Sequence, residues 1–194
     1  VQTAAAAHAL ATELDGPTVV KAQAWITGRA GHGAIRFADT PDDAAIAAQE
    51  LLGMDIGQFT VEYVLIEEKI TIEREFYVGV IIDDRARAPV MVFSSMGGSG
   101  IEDIARTHPD HVARHTIDIR LGLRDFEARE LARKTGISGK LLLKLGATLP
   151  RLYELARNTD ARAAEINPLG LTADEKLVAV DCRITVDDYA VYRH

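Results

Sequence analysis

The sequence predicts an α+β fold in two lobes. Segments rich in β-branched and aromatic residues alternate with helix-forming runs, in two groups divided near residue 68. No repeat, low-complexity tract or long linker separates the groups. At 194 residues the chain is long enough to bury a sizeable core. The expected lobes are residues 1–68 and 69–194.

Residues 3–14 read as a helix, with Thr3 as its cap, alanine as the main helix former and Gly16 as the stop. Thr18 to Trp25 reads as a strand, Thr27 to Gly33 as a glycine-containing loop and Ile35 to Ala38 as a short strand. Thr40-Pro41-Asp42-Asp43 is a helix start, with Thr40 at the N-cap, Pro41 at the first turn and two acids at the positive end of the dipole. That helix is expected to run to about Leu52 and stop at Gly53. Tyr63–Glu67, Arg74–Asp83 and Pro89–Ser94 are β-rich runs, with a turn at Asp83-Asp84-Arg85-Ala86. Met96-Gly97-Gly98-Ser99-Gly100 opens a helix over 101–106, and His111 and His115 fall in an expected loop. Helices are expected over 125–134 and 138–157, the second capped by Ser138, and strands over Arg162–Asn167 and Leu177–Ile184.

Hydrophobic residues make up 47% and aromatic residues only 6%, so the core must rest on Ala, Val, Leu and Ile. The net charge of −7 argues against a non-specific nucleic-acid binder, which needs a basic surplus. One cysteine, Cys182, cannot form an internal disulfide, and as a neighbour of Asp181 on the opposite strand face it reads as a core thiol. No apolar run approaches the roughly 20 residues of a membrane span, so no membrane partner is expected. The chain begins at Val1 without a signal-like stretch and reads as a cytoplasmic protein, or as a piece of one that begins further upstream.

Among the constellations with chemical potential, the C-terminal hairpin is the most specific. A three-residue loop centred on Asp174 pairs Thr172 with Lys176, which sets Asn167 opposite Asp181 and Glu165 opposite Arg183. An amide oxygen and carboxylates on one strand face suit Mg²⁺, with phosphate oxygens and water completing the shell. The other reading is a solvated polar face on an edge hairpin. Lys21 and Gln23 share a strand face ahead of the basic, glycine-containing loop Gly28-Arg29-Ala30-Gly31. Such a loop can hold phosphates or serve as a turn; it lacks the Gly-Lys-Ser/Thr of a phosphate-binding loop. Glu67 and Glu75 lie near strand ends, where a carboxylate can accept from a ribose hydroxyl or stand solvated. The six histidines form no convincing metal spacing.

Taken together, Val19-Val20-Lys21-Ala22-Gln23, Leu65-Ile66-Glu67, Arg74-Glu75-Phe76-Tyr77-Val78-Gly79, Gly97-Gly98 and Ala164-Glu165-Ile166-Asn167-Pro168-Leu169 resemble the β subunit of succinyl-CoA synthetase and its relatives. An aspartate, Asp181, follows fourteen residues after Asn167, as in that pattern. The resemblance implies an ATP-grasp fold, in which two α+β lobes clasp a nucleotide, ATP or GTP. It implies that Lys21, Gly28, Arg29, Ala30, Glu67, Ile70 and Glu75 bind the nucleotide, with Glu67 and Glu75 on the base and ribose side. It implies that Asn167 and Asp181 bind Mg²⁺, and that Glu165 is the catalytic group near which a phosphohistidine docks. That histidine and the CoA site belong to a partner α subunit. Succinate is the acid the family implies; malate or another carboxylate is the alternative.

The sequence departs from the family in one loop. Thr27 and Ala30 replace glycines, Gly31-His32 stands where Lys-Ala is common, and Trp25 stands where the family usually has a histidine. These changes support a second reading, a non-catalytic docking module that keeps the fold. The family also starts earlier and continues into a second domain that helps form the acid and CoA site. The 194-residue chain is accordingly expected to make no acyl-CoA from ATP, succinate and CoA by itself. A thioester assay on the chain alone, with the partner subunit, and with a version extended past His194 checks this. Activity only from the extended version with its partner is the expected outcome; thioester formed by the chain alone overturns it.

Overall fold

In the computed structural model of the chain the described residues are 1–24, 31–98 and 100–194. They form two compact units, Val1–Ile70 and Thr71–His194. The first contains α1 (Ala4–Leu14), β1 (Thr18–Gln23), β2 (Ile35–Ala38), α2 (Pro41–Leu51), β3 (Asp55–Ile56), β4 (Phe59–Thr60) and β5 (Tyr63–Glu68). The Thr3 hydroxyl accepts from the Ala6 amide to cap α1. At α2 the Thr40 hydroxyl accepts from the Asp43 amide while the Asp43 carboxylate accepts from the Thr40 amide, each at 3.1 Å, a complete capping box. The antiparallel sheet has the order β2-β1-β5.

Small side chains let α1 and α2 approach each other and one face of that sheet closely. Ala7, Ala11, Ala44 and Ala48 from the helices meet Val20, Ala22, Val64 and Ile66 from the strands in one buried cluster. Strand side chains alternate, so Val19 and Lys21 point to the opposite face. The short β3–β4 hairpin has no counterpart in the sequence reading; two-residue strands give too little alternation to detect.

The second unit contains β6 (Ile72–Asp83), β7 (Ala88–Ser94), α3 (Ile101–Thr107), β8 (Val112–Thr116), α4 (Asp125–Arg133), α5 (Lys140–Asn158), β9 (Ala161–Thr172), β10 (Leu177–Ala179) and β11 (Cys182–Val186). Its antiparallel sheet runs β10-β9-β6-β7-β8, and β11 also pairs with β9. Phe76, Val78, Met91, Phe93 and Ala164 on one face bury against Leu131, Leu145, Leu149 and Leu152 of α4 and α5. On the other face Tyr77, Val90 and Val92 pack with Ile101 of α3.

Three expectations change here. The segment around His115 is strand β8, not loop, because the edge of β7 supplies backbone partners from Val90↔Thr116 to Ser94↔Val112 that the local sequence does not announce. Ser138 does not cap α5: the helix begins at Lys140, and Gly139 holds the N-cap position at φ +66° with no side-chain cap. The single strand expected over Leu177–Ile184 is two, β10 and β11, broken at Val180-Asp181. The break lies opposite Asn167-Pro168, where the pairing of β6 with β9 shifts register between Phe76 and Val78.

Leu149 is fully buried in the helix–sheet core, whereas Leu143 on the same helix is 62% exposed. Leu149→Ala is expected to cost about 2–5 kcal/mol, and Leu143→Ala no more than about 0.5 kcal/mol. Denaturant unfolding of the two variants against the parent checks this.

Candidate functional site

In the first unit the sheet face away from the helices carries the candidate cation. Lys21 lies on the central strand β1, opposite Leu65 of β5, with Glu67 two residues further along the same face. The Lys21 ammonium is 2.5 Å from Glu67 Oε2, and its side chain is 9% exposed. A buried ammonium needs such a counter-charge, because desolvation otherwise favours the neutral form. The cross-strand neighbours on this face are apolar and open: Phe37 opposite Val19, and Leu65 opposite Lys21, are 67% and 43% exposed. The face thus combines an apolar surface with a cation–carboxylate pair. Ile70, at the end of this unit, is 37% exposed. Gly28, Arg29 and Ala30, with the departures at Trp25 and Thr27, lie outside the described residues.

In the second unit β9 brings the polar residues together. Its partner register holds from the turn as far as Thr185 opposite Ala163: Leu177 faces Leu171, Cys182 faces Ile166 and Arg183 faces Glu165, and the pairing shifts only beyond, where Val186 faces Ala161. Between these pairs the Asn167 amide donates to the Asp181 carbonyl at 3.0 Å, and the Val180 amide donates to the Pro168 carbonyl at 3.1 Å. Asn167 and Asp181 therefore stand opposite each other, as the hairpin count predicts. The irregularity at Asn167-Pro168 also reverses the strand's alternation. Ala164 and Ile166 face the helices before it, and Leu169 and Leu171 face them after it. A bulge of this kind re-aims the side chains at the bend.

A glycine pair closes on this bend. The Gly98 amide donates to Asn167 Oδ1 at 3.3 Å. Gly97 rests directly on β6: a Cβ there would lie 2.9 Å from the backbone carbonyl carbon of Glu75 and the amide nitrogen of Phe76. Gly98 has φ +84°, and a Cβ on it would meet the Glu75 carboxylate at 2.7 Å. Glycine is required at Gly97 by close approach to the β6 backbone, and at Gly98 by backbone conformation. The pair sets the Glu75 carboxylate and the Asn167 amide on either side of one backbone turn.

Glu165 accepts a hydrogen bond from the Tyr77 hydroxyl at 3.2 Å. Tyr77 is 6% exposed, and burial, reinforced by the negative Glu165, pushes its hydroxyl pKa far above the usual tyrosine range. The sequence reading assigns Tyr77 no contact, since nothing local links it to a residue on β9. The signal available was the Tyr77-Val78-Gly79 spacing, a large side chain beside a missing one on the same strand face. Cys182 is a correction: it is exposed, not a core thiol. It faces Ile166 on the core side, but it opens β11, which among the described residues pairs only with β9, and so sits at the sheet rim. Partial burial, then the charges of Asp181 and Glu165, push its thiol pKa up.

No group of three or more His, Cys, Asp or Glu side chains among the described residues could hold a metal ion. A cation here would take an amide oxygen from Asn167 and a carboxylate from Asp181, both hard donors. That sparse protein set fits Mg²⁺, which keeps waters and phosphate oxygens in its shell, better than it fits a metal needing a full cage. No helix among the described residues is long and apolar enough to cross a membrane.

Comparison with known proteins places the chain in a family. A model described as an ATP-grasp domain matches residues 1–171. The chain is 42% identical over 193 residues to the ADP-forming succinate–CoA ligase subunit beta of Roseiflexus sp. (strain RS-1), covering 99% of this chain and 51% of that protein. It is 40% identical over 188 residues to the GDP-forming subunit beta of Thermus thermophilus, covering 97% and 50%. The chain thus spans about half the length of the curated relatives it matches. Among solved structures, the ATP citrate lyase of Methanothrix soehngenii in complex with citrate and coenzyme A has a TM-score of 0.74 at 21% identity, covering 92% of this chain and 40% of that one. A dinucleotide-forming acetyl-coenzyme A synthetase 1 of Ca. Korarchaeum cryptofilum has a TM-score of 0.76 at 16% identity, covering 96% and 83%. At those identities the likeness is one of fold, and it agrees with the family match: the chain belongs to the ATP-grasp domain family.

Proposed function

We propose that this chain is the nucleotide- and Mg²⁺-binding portion of a succinate–CoA ligase β subunit. The reaction is acid plus CoA plus nucleoside triphosphate to acyl-CoA, nucleoside diphosphate and phosphate, through a phosphohistidine on a partner α subunit. The observation that carries it is the cross-strand opposition of Asn167 and Asp181 at the β9 bend, within a chain some 40% identical to such subunits along nearly its whole length. A cytoplasmic location goes with this reading.

Each residue has a task in it. Asn167 and Asp181 hold the cation, which when bound neutralises charge on the phosphate oxygens. Gly98 orients the Asn167 amide by occupying one side of its oxygen. Lys21 donates to a phosphate; its compact charge is already desolvated, so the field it supplies is strong. Glu67 supplies the counter-charge to that ammonium until the phosphate arrives. Glu75, Glu67 and Ile70 take the base and ribose side, where carboxylates accept from hydroxyls and the isoleucine offers apolar contact. Gly28, Arg29 and Ala30 complete the phosphate contacts. Glu165 receives the histidine that carries the phosphoryl group between subunits.

Asp181→Asn removes the charged donor and keeps its shape. Mg²⁺-ATP binding by calorimetry is expected to weaken at least about tenfold, ~1.4 kcal/mol. The melting temperature should move by no more than about 2 °C, because a like-shaped polar exchange at a partly exposed position costs little. Equal affinities for variant and parent would remove Asp181 from the metal site. Failure of the parent itself to bind Mg²⁺-ATP would favour the non-catalytic docking module.

A further inference from the structure

Resting on the function proposed above, we infer that Tyr77 is a positioning residue for Glu165: its hydroxyl holds the carboxylate in the one orientation that meets the incoming histidine.

The geometry is built for that bond. Glu165 on β9 lies directly opposite Gly79 on β6, and Tyr77 lies two residues before Gly79 on the same face. The ring leans along the strand over the position where residue 79 has no side chain. A Cβ on Gly79 would lie 2.6 Å from the Tyr77 hydroxyl oxygen and 3.1 Å from the ring carbon that bears it. The missing side chain is therefore what lets the hydroxyl reach Glu165 Oε2 at 3.2 Å. Packing fixes the ring against Val90 and Val92, with Ile81, Ile101 and Val112 around them. A rigid aromatic with one hydroxyl is a precise tether for a flexible glutamate, which otherwise has three rotatable bonds to immobilise.

The choice of donor matters chemically. A lysine or arginine in this place would form an ion pair and spend the carboxylate's charge on itself. A neutral phenol orients Glu165 and leaves its negative charge for the histidine. Burial, reinforced by Glu165, pushes the Tyr77 hydroxyl pKa up, which favours the protonated form that donates. The opposite strand neighbour of Glu165 is Arg183, which is exposed and so leaves Tyr77 as the buried member of the group.

The test uses Tyr77→Phe, Glu165→Gln and the double variant. First, tyrosine labelled with ¹³C at the hydroxyl-bearing carbon gives a signal for each of the five tyrosines, and the one lost in Tyr77→Phe is Tyr77. That signal is expected to move in Glu165→Gln at neutral pH. If it does not move, the bond is absent and the inference fails, whatever the activity. Second, transfer of the γ-phosphoryl group from ATP to the histidine of a succinate–CoA ligase α subunit is followed in a single turnover, using the full-length β subunit. Tyr77→Phe is expected to slow transfer about 10–100-fold, as when the partner that orients a metal-binding side chain is lost. The KM for ATP should stay within about twofold, and the double variant should be no slower than Glu165→Gln alone. Transfer by Tyr77→Phe at the parent's rate, or losses that multiply in the double variant, overturns the positioning role. A parent that phosphorylates no histidine overturns the proposed function instead, a result distinguishable from the first two.

Discussion

The ladder between β6 and β9 is the constraint on which the second unit depends. These two long strands form the middle of the sheet, and every polar group of interest in the unit hangs from one of them or from a segment that rests on them. The ladder is not regular. Phe76 faces Leu169, yet Val78 faces Ile166, so β9 carries an extra residue through the middle. The core enforces this arrangement. Ala164 and Ile166 on one side of the irregularity, and Leu169 and Leu171 on the other, all have to reach the helices. With a period of two, those four positions can share a face only if the strand slips by one between them. Asn167 and Pro168 are the residues left over, and the hairpin partner breaks at the same level, at Val180-Asp181. Hydrophobic packing thus creates the bend at which the polar pair is displayed.

Charge is handled differently in the two units. In the first, Lys21 is buried on a central strand and paired with the partly exposed Glu67, whose charge offsets the cost of burying the ammonium. In the second, Glu165 is met by a neutral phenol, and Asn167 by a backbone amide. Those contacts orient without neutralising. The difference matches the tasks proposed for them: a cation that must stay charged in a nearly dry setting, and acceptor groups that must keep their charge or lone pairs for a metal or a histidine. Close backbone approach serves the same end. A side chain at Gly97 would strike the backbone of Glu75 and Phe76, and Gly98 holds a left-handed conformation that side chains disfavour.

Much of this was legible before the fold was known. The capping box at Thr40 and Asp43 involves neighbours in sequence, so local chemistry reveals it. The hairpin register was also legible, because a short loop centred on Asp174 leaves few ways to pair its arms. The Thr172 amide does donate to the Lys176 carbonyl at 3.0 Å, and the count outward from there places Asn167 against Asp181. Strand β8 was not legible, since its partner is an edge of β7 that the sequence cannot place. Ser138 looked like a cap because it is the right residue type near the right position, but Gly139, one residue later, takes that place. Cys182 was assigned its strand face correctly and its burial wrongly, because burial depends on what covers a sheet rim and alternation does not report that.

The sequence by itself determined the α+β class, the helix starts at Thr3 and Thr40, the hairpin register and the residue types suited to a cation site, because each depends on interactions between near neighbours. The tertiary structure decided where β9 bends, which glycines are obligatory and which side chain tethers Glu165. Those features arise where β6, β9 and the Gly97-Gly98 turn meet. Tyr77 and Glu165 are 88 residues apart in the chain and 3.2 Å apart across the sheet. A contact of that kind has no local signature; it exists only once core packing has set two distant strands side by side.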